Sequence, residues 1–491
     1  MKRYFGVDFG TTTTAFAAVT MGDRIDHIGN QEGNPFPSVI IIDKITGEVK
    51  YRGLEAWKQR NIFKVDDGHI VISSVKQKFS SDNIWRTNTR LWTPEMVAAE
   101  VLKNGTDEIR KRYPDTEFPI EVIMAIPVDF EYEERQKIKE VAKNVGIEVK
   151  QFISEPTAAV IGWGENLNNV QHIAVFDWGG GTLDVSVLKI SCANITELAK
   201  QGKRIGGDTL DELFARYLHN EHKNLFSEIP SFDEIHPRRK DRILTKSELG
   251  KRDLSEKSET EIYLPDYCGN KSLESIIDRN IFNNIIRDKI DEAIEVVKNT
   301  LAEAELSIEE IDRVLMVGGS SNIPMIKQRM DEMFGARLEF PDKPDWCIAR
   351  GAAKLAKNSG NYVLSKSIGV VLSDDTFMPI LEKGQPIDHK EKKITLGLVE
   401  DSKEARLIIA EAKKSKSFSN RITYGKYQTI DALTMNIPSA GYHFEPIEAG
   451  FRIKKDLTLE VTAFGKFNQT EKLKKIYPHL KFEYRIAQNE K

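Results

Sequence analysis

Apolar and polar positions change rhythm along this 491-residue chain. Over roughly the first 190 residues, short apolar runs alternate with stretches of helical period, the pattern of strands followed by helices. "IEVIMAIPV" (Ile120–Val128) reads as a buried strand. "TPEMVAAEVLKNGTDEIRKRY" reads as a helix with Thr93 as its N-cap and Pro94 at the first helical position. "EYEERQKIKEVAKNVG" (Glu131–Gly146) sets Ile138, Val141, Ala142 and Val145 at helical spacing and stops at a glycine. Residues 208–310 read as helix-rich, with Ile281, Ile285, Ile290, Ile294, Val297 and Leu301 in one apolar stripe. "RVLMVGGSSNIPMIKQRMDEMF" (Arg313–Phe334) reads as strand, Gly-Gly turn and helix, and a further helix is expected over "WCIARGAAKLA" (Trp346–Ala356). Past Gly360 the helical period disappears. "ARLIIAEA", "NRITYGKYQTI", "FRIKKDLTLEVTAF" and "KFEYRIAQ" read as strands of a β-rich module. The boundary is expected at about residue 358, in "AKNSGNYVLSKS".

A chain this long is expected to form two or more domains with a large core. Its hydrophobic content of 40% and charged content of 30% are those of a globular protein. The net charge of −4 argues against a general nucleic-acid or membrane binder. That charge divides unevenly, +5 over residues 361–491 and −9 over the rest, which by itself describes a solvated surface. Cys192, Cys268 and Cys347 are far apart, odd in number and without metal-ligand spacing, so a reducing compartment is expected. The apolar run after the basic N-terminus is cut by Asp8, and no stretch approaches a membrane span, so the expected location is the cytoplasm.

Two stretches spell one pattern. "GVDFGTTTTAFAAV" (Gly6–Val19) and "VFDWGGGTLDVSVL" (Val175–Leu188) each run from an apolar strand through an Asp into a bend of Gly and Thr, then into a second apolar strand. Such a bend points several backbone N–H groups and hydroxyls one way, and they can hold phosphate oxygens. The Asp before it can hold a magnesium ion, usually through water. Either hairpin alone could be an ordinary β-turn. The pair, about 170 residues apart, predicts two similar halves facing across a cleft, with a triphosphate between them. "MVGGSSNIP", with Gly318 and Gly319, and "GGDTLDELF" (Gly206–Phe214), with Asp208 and Asp211, are two further strand-to-helix turns in this ordered set.

These motifs, with "SVKQKF", "AIPVDFEYEERQ", "EPTAAVIGWG", "ELGKRDLS" and "PDWCIARGAA", resemble the seventy-kilodalton heat-shock chaperone family, within the actin and sugar-kinase superfamily of ATPases. They stand in the family's order and cover residues 4–356. "SIGVVL", "MPILEKGQPI" and "DLTLEVTAF" resemble its β substrate-binding domain more loosely. The resemblance implies a duplicated, actin-like (ribonuclease H-like) two-lobed α/β ATPase domain over 1–357 with a helical insertion at about 208–310. A linker over 358–370 and a small β-sandwich-like domain over 371–491 would follow.

It also implies site residues. Asp8 and Asp177 would hold hydrated Mg²⁺. Gly10, Thr11, Thr12 and Thr13 in the first turn, and Gly179, Gly180, Gly181 and Thr182 in the second, would meet the phosphates of ATP or ADP. Gly206, Gly207 and Asp208 belong to the same nucleotide site. Lys76 would reach the γ-phosphate and the attacking water, Glu155 would organise the magnesium waters, and Asp184 would lie near the hydrolytic water. Glu248, Lys251, Arg252 and Ser255 fall on one helix face, which by itself reads as solvated charge. The resemblance makes it the adenine-binding face, opposed by Gly318, Gly319, Ser320 and Asp345. Pro127 and Arg135 occupy the positions of the family's interdomain relay.

Some positions depart from the family. Asn322 stands where an Arg usually stacks on adenine, which implies lower nucleotide affinity, and Thr13 replaces a common Asn. "NYVLSKSIGV" (Asn361–Val370) is less apolar than the family's coupling linker. Fewer than 50 residues separate Lys76 from "IEVIMAIPV", which trims the subdomain over the cleft. About 130 residues follow the ATPase region, enough for a β module and too few for the helical lid.

The expected protein is therefore a slowly hydrolysing, monomeric ATPase chaperone whose β module binds a peptide or protein client by strand addition. A co-chaperone and a nucleotide-exchange factor are its expected partners. Two alternatives remain at this stage: a nucleotide-gated scaffold for one dedicated partner, and a small-molecule kinase of the same superfamily. The kinase lacks a visible polyol pocket signature.

Overall fold

The computed structural model describes the whole chain except residues 1, 64–67, 80–82, 128–129, 131, 165–170, 192–193, 359–360, 399–403, 413–422, 425–426, 438–444, 455–456, 468–471, 478–479, 481 and 486–491. Cys192 thus lies outside the described residues; Cys268 and Cys347 are buried free thiols. The chain divides into two compact units. One takes in Met1–Val128, Gln136–Cys192 and Glu197–Lys357, the other Asp129–Arg135, Ala193–Thr196 and Asn358–Lys491. Among the described residues no helix is long and apolar enough to cross a membrane.

The first unit is built twice on one plan. Its first sheet uses β1 (Arg3–Phe9), β2 (Thr13–Thr20), β3 (Ile25–Ile28), β4 (Ile120–Ile126) and β5 (Ile147–Ser154) in the order β5-β4-β1-β2-β3. β1 is antiparallel to β2 and parallel to β4. Its second sheet places β6 (Gln171–Trp178) antiparallel to β7 (Leu183–Ser191) and parallel to β8 (Arg313–Val317). In both sheets the central strand carries an Asp near its C-terminal end, and the hairpin bend follows. Parallel neighbours put that end beside the starts of the crossover helices, where open α/β sheets bind ligands.

Nine α-helices are described: α1 (Gly53–Phe63), α2 (Pro94–Arg112), α3 (Tyr132–Asn144), α4 (Glu155–Trp163), α5 (Gly207–Leu225), α6 (Pro237–Glu256), α7 (Arg279–Glu303), α8 (Pro324–Phe334) and α9 (Cys347–Lys357). The Thr93 hydroxyl accepts from the Met96 amide and Pro94 opens α2, as the sequence predicts. Ile138, Val141, Ala142 and Val145 are all buried. In α7 the core-facing stripe is Phe282, Ile286, Ile290, Ile294, Val297 and Leu301, while Ile281 and Ile285 sit half-buried on its flank.

Residues 208–310 are helix-rich through α5, α6 and α7, with one element the sequence reading did not include. A hairpin, Glu259–Cys268 with Lys271–Asp278, lies between α6 and α7. Its alternation is visible once sought: Thr260, Ile262 and Leu264 are buried, while Glu259, Glu261 and Tyr263 are exposed. Gly269 and Asn270, with φ of 62° and 57°, supply the left-handed pair of a tight hairpin bend.

The second unit holds two antiparallel sheets over one core. Five strands run in the order Thr423–Tyr424, Thr376–Leu381, Ile368–Val371, Glu404–Ala412, Tyr427–Asn436. Four run in the order Lys392–Leu396, Ile447–Ile453, Leu459–Gly465, Leu473–Tyr477. Val370, Leu407, Ile409 and Met435 from one sheet meet Ala449, Phe451 and Val461 from the other. "FRIKKDLTLEVTAF" is therefore two strands, turning at Leu457 with φ 64°. Much of "NRITYGKYQTI" lies outside the described residues.

The segment 358–370, expected as a linker, contains strand. Asn361–Leu364 is a strand paired with Phe482–Arg485, and Ile368–Val371 enters the five-stranded sheet. Val363 and Leu364 are buried, so three apolar residues suffice to draw the segment into a sheet.

α4 and α9 meet backbone to backbone. A Cβ on Gly351 would stand 1.8 Å from the Ala158 carbonyl oxygen, and one on Gly162 would stand 1.9 Å from that of Cys347. On its other side α9 lies on β1, where a Cβ on Gly6 would stand 2.1 Å from the Ala353 nitrogen. Gly351→Ala must push the helices apart and should cost about 3 kcal/mol or more, since such a helix pair cannot yield locally. Differential scanning calorimetry checks this; an unchanged midpoint would show that the close crossing is not maintained in solution.

Candidate active site

The first bend is anchored from below. The Ser38 hydroxyl donates to the Gly10 carbonyl at 3.0 Å, and the Ser38 amide donates to that of Thr12 at 2.8 Å. Thr13 opens β2 opposite Pro37. In the second bend the Gly179 amide donates to the Thr182 carbonyl at 2.9 Å. Asp8 sits opposite Ala15 in the first hairpin, and Asp177 opposite Asp184 in the second.

The two bends face each other at close range. A Cβ on Gly180 would stand 2.4 Å from Thr12 Oγ1, and one on Gly181 would stand 3.3 Å from Thr11 Cγ2. Gly180 must lack a side chain for the two bends to come this near. The start of α5 closes behind: the amides of Gly207 and Asp208 donate to the carbonyls of Gly179 (3.1 Å) and Gly180 (2.8 Å). Gly206 lies so close that a Cβ there would be 2.2 Å from the Gly180 oxygen. These α5 amides are therefore already paired. The amides of Thr11, Thr12, Gly180 and Gly181, by contrast, donate to no acceptor among the described residues.

Beneath the bends lies a group of buried charges. Lys76 sits in a 3₁₀ turn, Val75–Lys78, entered through Ser74 in the left-handed region at φ 54°. Its side chain is 7% exposed, and its ammonium donates to Glu155 at 2.5 Å. Glu155 is the first residue of α4, whose cap is the Ser154 hydroxyl accepting from the Thr157 amide. Burial pushes the Asp8 carboxyl up to about 7; repulsion from Glu155 adds to this and Lys76 opposes it. Burial also raises Asp177 well above the carboxylate range, with Glu155, Asp184 and Asp8 adding repulsion. For Lys76 burial alone would lower the pKa, but Glu155 and Asp8 more than offset it and keep the ammonium charged. Asp184 is 3.4 Å from the Lys200 ammonium. Four carboxyl groups around Lys76, with Lys200 beside Asp184 as a second ammonium, leave an excess of negative charge that a divalent cation would offset. Among the described residues no three His, Cys, Asp or Glu side chains converge as direct metal ligands. Two carboxylates acting through a hydration shell suit the chemistry of Mg²⁺.

The α6 face is more divided than its spacing suggests. Lys251 donates to the Gly207 carbonyl at 2.9 Å and to Asp211 at 2.8 Å, so it ties α6 to α5. The Ser255 hydroxyl donates back to the Lys251 carbonyl. Glu248 accepts from Arg252 and from Arg60, each at 2.7 Å. Opposite, Ser320 donates to the Gly179 carbonyl at 3.0 Å, and Gly207 approaches Ser320 closely enough that a Cβ would stand 2.9 Å from its hydroxyl. Gly318 has φ 79°, and a Cβ there would stand 2.6 Å from Asp177 Oδ1. Gly319 to Asn322 forms a 3₁₀ turn. Burial raises the Asp345 carboxyl, and Arg252 opposes that shift.

The residues brought together around the bends thus include Asp8, Gly10–Thr12, Lys76, Glu155, Asp177, Gly179–Thr182, Asp184, Gly206–Asp208 and Ser320. Sequence reasoning missed Ser38, Gln77, Lys200 and Arg60. Gln77 lies against Gly181, where a Cβ would stand 3.1 Å from its Nε2. Its adjacency to Lys76 was the available signal. Arg60 gave none, because its partner Glu248 is 188 residues away.

A family model described as Hsp70 protein matches residues 58–481. The chain is 28% identical over 479 residues to the chaperone protein DnaK of Thermotoga neapolitana, covering 93% of this chain and 77% of that one. It is equally 28% identical over 482 residues to the chaperone protein DnaK of Thermosipho melanesiensis, covering 94% and 78%. The DnaK of Thermotoga maritima gives 28% over 479 residues. With the family model spanning most of a chain whose first unit is a duplicated α/β fold, the chain belongs to the Hsp70 family of chaperone ATPases.

Proposed function

We propose that this protein binds ATP between its two glycine-threonine bends, hydrolyses it slowly, and uses the nucleotide state to alter how its β unit holds an apolar peptide or protein client. The observation that carries this reading is the approach of Thr11 and Thr12 to Gly180 and Gly181 above the buried Asp8, Asp177, Glu155 and Lys76. In this reading the unpaired amides and the Thr11, Thr12 and Thr182 hydroxyls meet the phosphates, and Thr13 and Gly10 shape the first bend. Asp8 and Asp177 hold Mg²⁺ through water. The ion, when bound, offsets phosphate charge that these carboxylates alone would repel.

Lys76 supplies positive charge where negative charge develops, and Glu155 fixes its position. Asp184, held by Lys200, orients the attacking water. Glu248 and Arg252 meet the nucleoside, with Gly318, Gly319, Ser320, Asn322 and Asp345 on the other side. Lys251 and Ser255, on the same face, contribute to the nucleoside site while also bonding within the fold. The protein works as a cytoplasmic monomer with a co-chaperone and an exchange factor.

A second reading, a nucleotide-gated scaffold for one partner, draws support from the capture of Asn361–Leu364 in a strand, which shortens any free connection. A peptide array separates the two: many apolar sequences bound favours the chaperone, and a single one favours the scaffold.

Lys76→Ala should lower turnover about 100-fold or more, since it removes a preorganised transition-state charge, while ATP remains bound. Single-turnover kinetics measure this, and undiminished turnover would remove Lys76 from the chemistry. Asp177→Asn should abolish the dependence of ATP affinity on magnesium; calorimetry finding the same magnesium enhancement in parent and variant would rule out its role.

Asp8 provides a pH signature. Its native pKa, about 7, lies above the ordinary aspartate value of 3.8, so the native state holds the proton more tightly. In metal-free protein the stability of the parent relative to Asp8→Asn should fall as pH rises from about 4 through 7. Urea midpoints across that window measure it, and a constant difference would place the titration elsewhere.

A further inference from the structure

At the edge of the site, α1 contributes two residues that no motif singles out. Arg60 stacks on Trp57, its guanidinium carbon 4.2 Å from the ring centroid, and also donates to the Trp57 carbonyl at 2.7 Å. The Arg252 guanidinium approaches the same ring at 5.7 Å. Glu248 then joins the two arginines, accepting 2.7 Å hydrogen bonds from both. Trp57, Arg60, Glu248 and Arg252 form a closed ring of contacts between α1 and α6. Two guanidinium groups around one indole would repel each other, and the carboxylate between them offsets that repulsion. Arg60 and Glu248 are about one-fifth exposed, which shields their pair from solvent; Arg252 is 64% exposed.

An exposed arginine samples many rotamers, and ordering it on binding subtracts from affinity. Here Trp57 and Glu248 already hold it. We propose that Trp57 and Arg60 are positioning residues for recognition of the purine base. They preset Glu248 and Arg252, so that the nucleoside meets an ordered face. Phosphate binding at the bends does not pass through this ring. The inference rests on the reading that Arg252 meets the base.

The test is calorimetric titration with Mg·ATP and, separately, with magnesium tripolyphosphate, which has the phosphates but no nucleoside. Trp57→Leu should weaken ATP about three- to five-fold, the range of one cation–π contact, and leave tripolyphosphate unchanged. Trp57→Phe keeps a ring and should recover most of the loss. Arg60→Lys, which keeps charge but not the stacked plane, should reproduce the base-dependent loss if Trp57→Leu does not fold. In an Arg252→Ala background Trp57→Leu should cost clearly less than in the parent. Undiminished ATP affinity in Trp57→Leu, equal losses for both ligands, or full additivity with Arg252→Ala would overturn the inference. If Arg252→Ala itself leaves ATP affinity intact, the reading of the α6 face fails and the inference with it. If Arg252→Ala weakens ATP but Trp57→Leu does not, only the positioning role fails.

Discussion

The contact on which the site depends is peptide backbone against peptide backbone. α4 begins at Glu155, and α9 follows the turn that carries Asp345. Their crossing at Gly162 and Gly351 leaves no room for a side chain, and Gly6 brings β1, the strand bearing Asp8, against α9 in the same way. Three glycines thus fix three elements from different parts of the sequence at spacings only main chain permits. Positions of charged groups at the far ends of those elements follow rigidly, because close-packed backbone transmits displacement with little give. A site that must hold two bends within a side chain's width of each other needs a base of this stiffness.

What is built on that base is unfavourable by itself. Burying Asp8, Asp177 and Glu155 together around one ammonium costs desolvation and adds repulsion, which is why the pKa values of Asp8 and Asp177 rise. A structural ion-pair network would have been satisfied by more cations. The imbalance is the signature of a site completed from outside, and it sits where four backbone amides have no acceptor among the described residues. Negative charge below and unpaired donors above describe a place for a cation and an anion bound together. Either alone would leave half of the imbalance uncorrected.

Much of this was legible in the chain. The repeated Asp and Gly-Thr bend predicts the duplicated hairpins because a bend that exposes amides tolerates few residue types, so its chemistry is written locally. Helix caps such as Thr93-Pro94 are local too, and they were read correctly. What was not legible depends on distant pairing. The hairpin Glu259–Asp278 alternates with period two inside a helix-rich stretch, and helical neighbours masked it. The strand Asn361–Leu364 has three apolar residues, and only its pairing with Phe482–Arg485 makes it a strand. The division of labour on α6 was hidden for the same reason. Spacing puts Glu248, Lys251, Arg252 and Ser255 on one face, but only the fold brings Asp211 and the Gly207 carbonyl to Lys251 as its partners.

That division has a physical logic. Lys251 bridges Asp211 and the Gly207 carbonyl, and Gly207 in turn donates to the second bend. Burial pushes Asp211 up to about 6, and the Lys251 ammonium counters that shift. An ammonium committed in this way holds α5 against the bend, and α5 cannot recede without exposing an unpaired buried carboxylate. Arg252, one residue on, faces outward with a planar group and several donors. A compact point charge therefore anchors structure, while a flat, exposed cation is left at the surface where a flat ligand could meet it. The adjacent pair Lys-Arg is not redundant charge: the two side chains differ in geometry, and the fold uses each where its geometry fits.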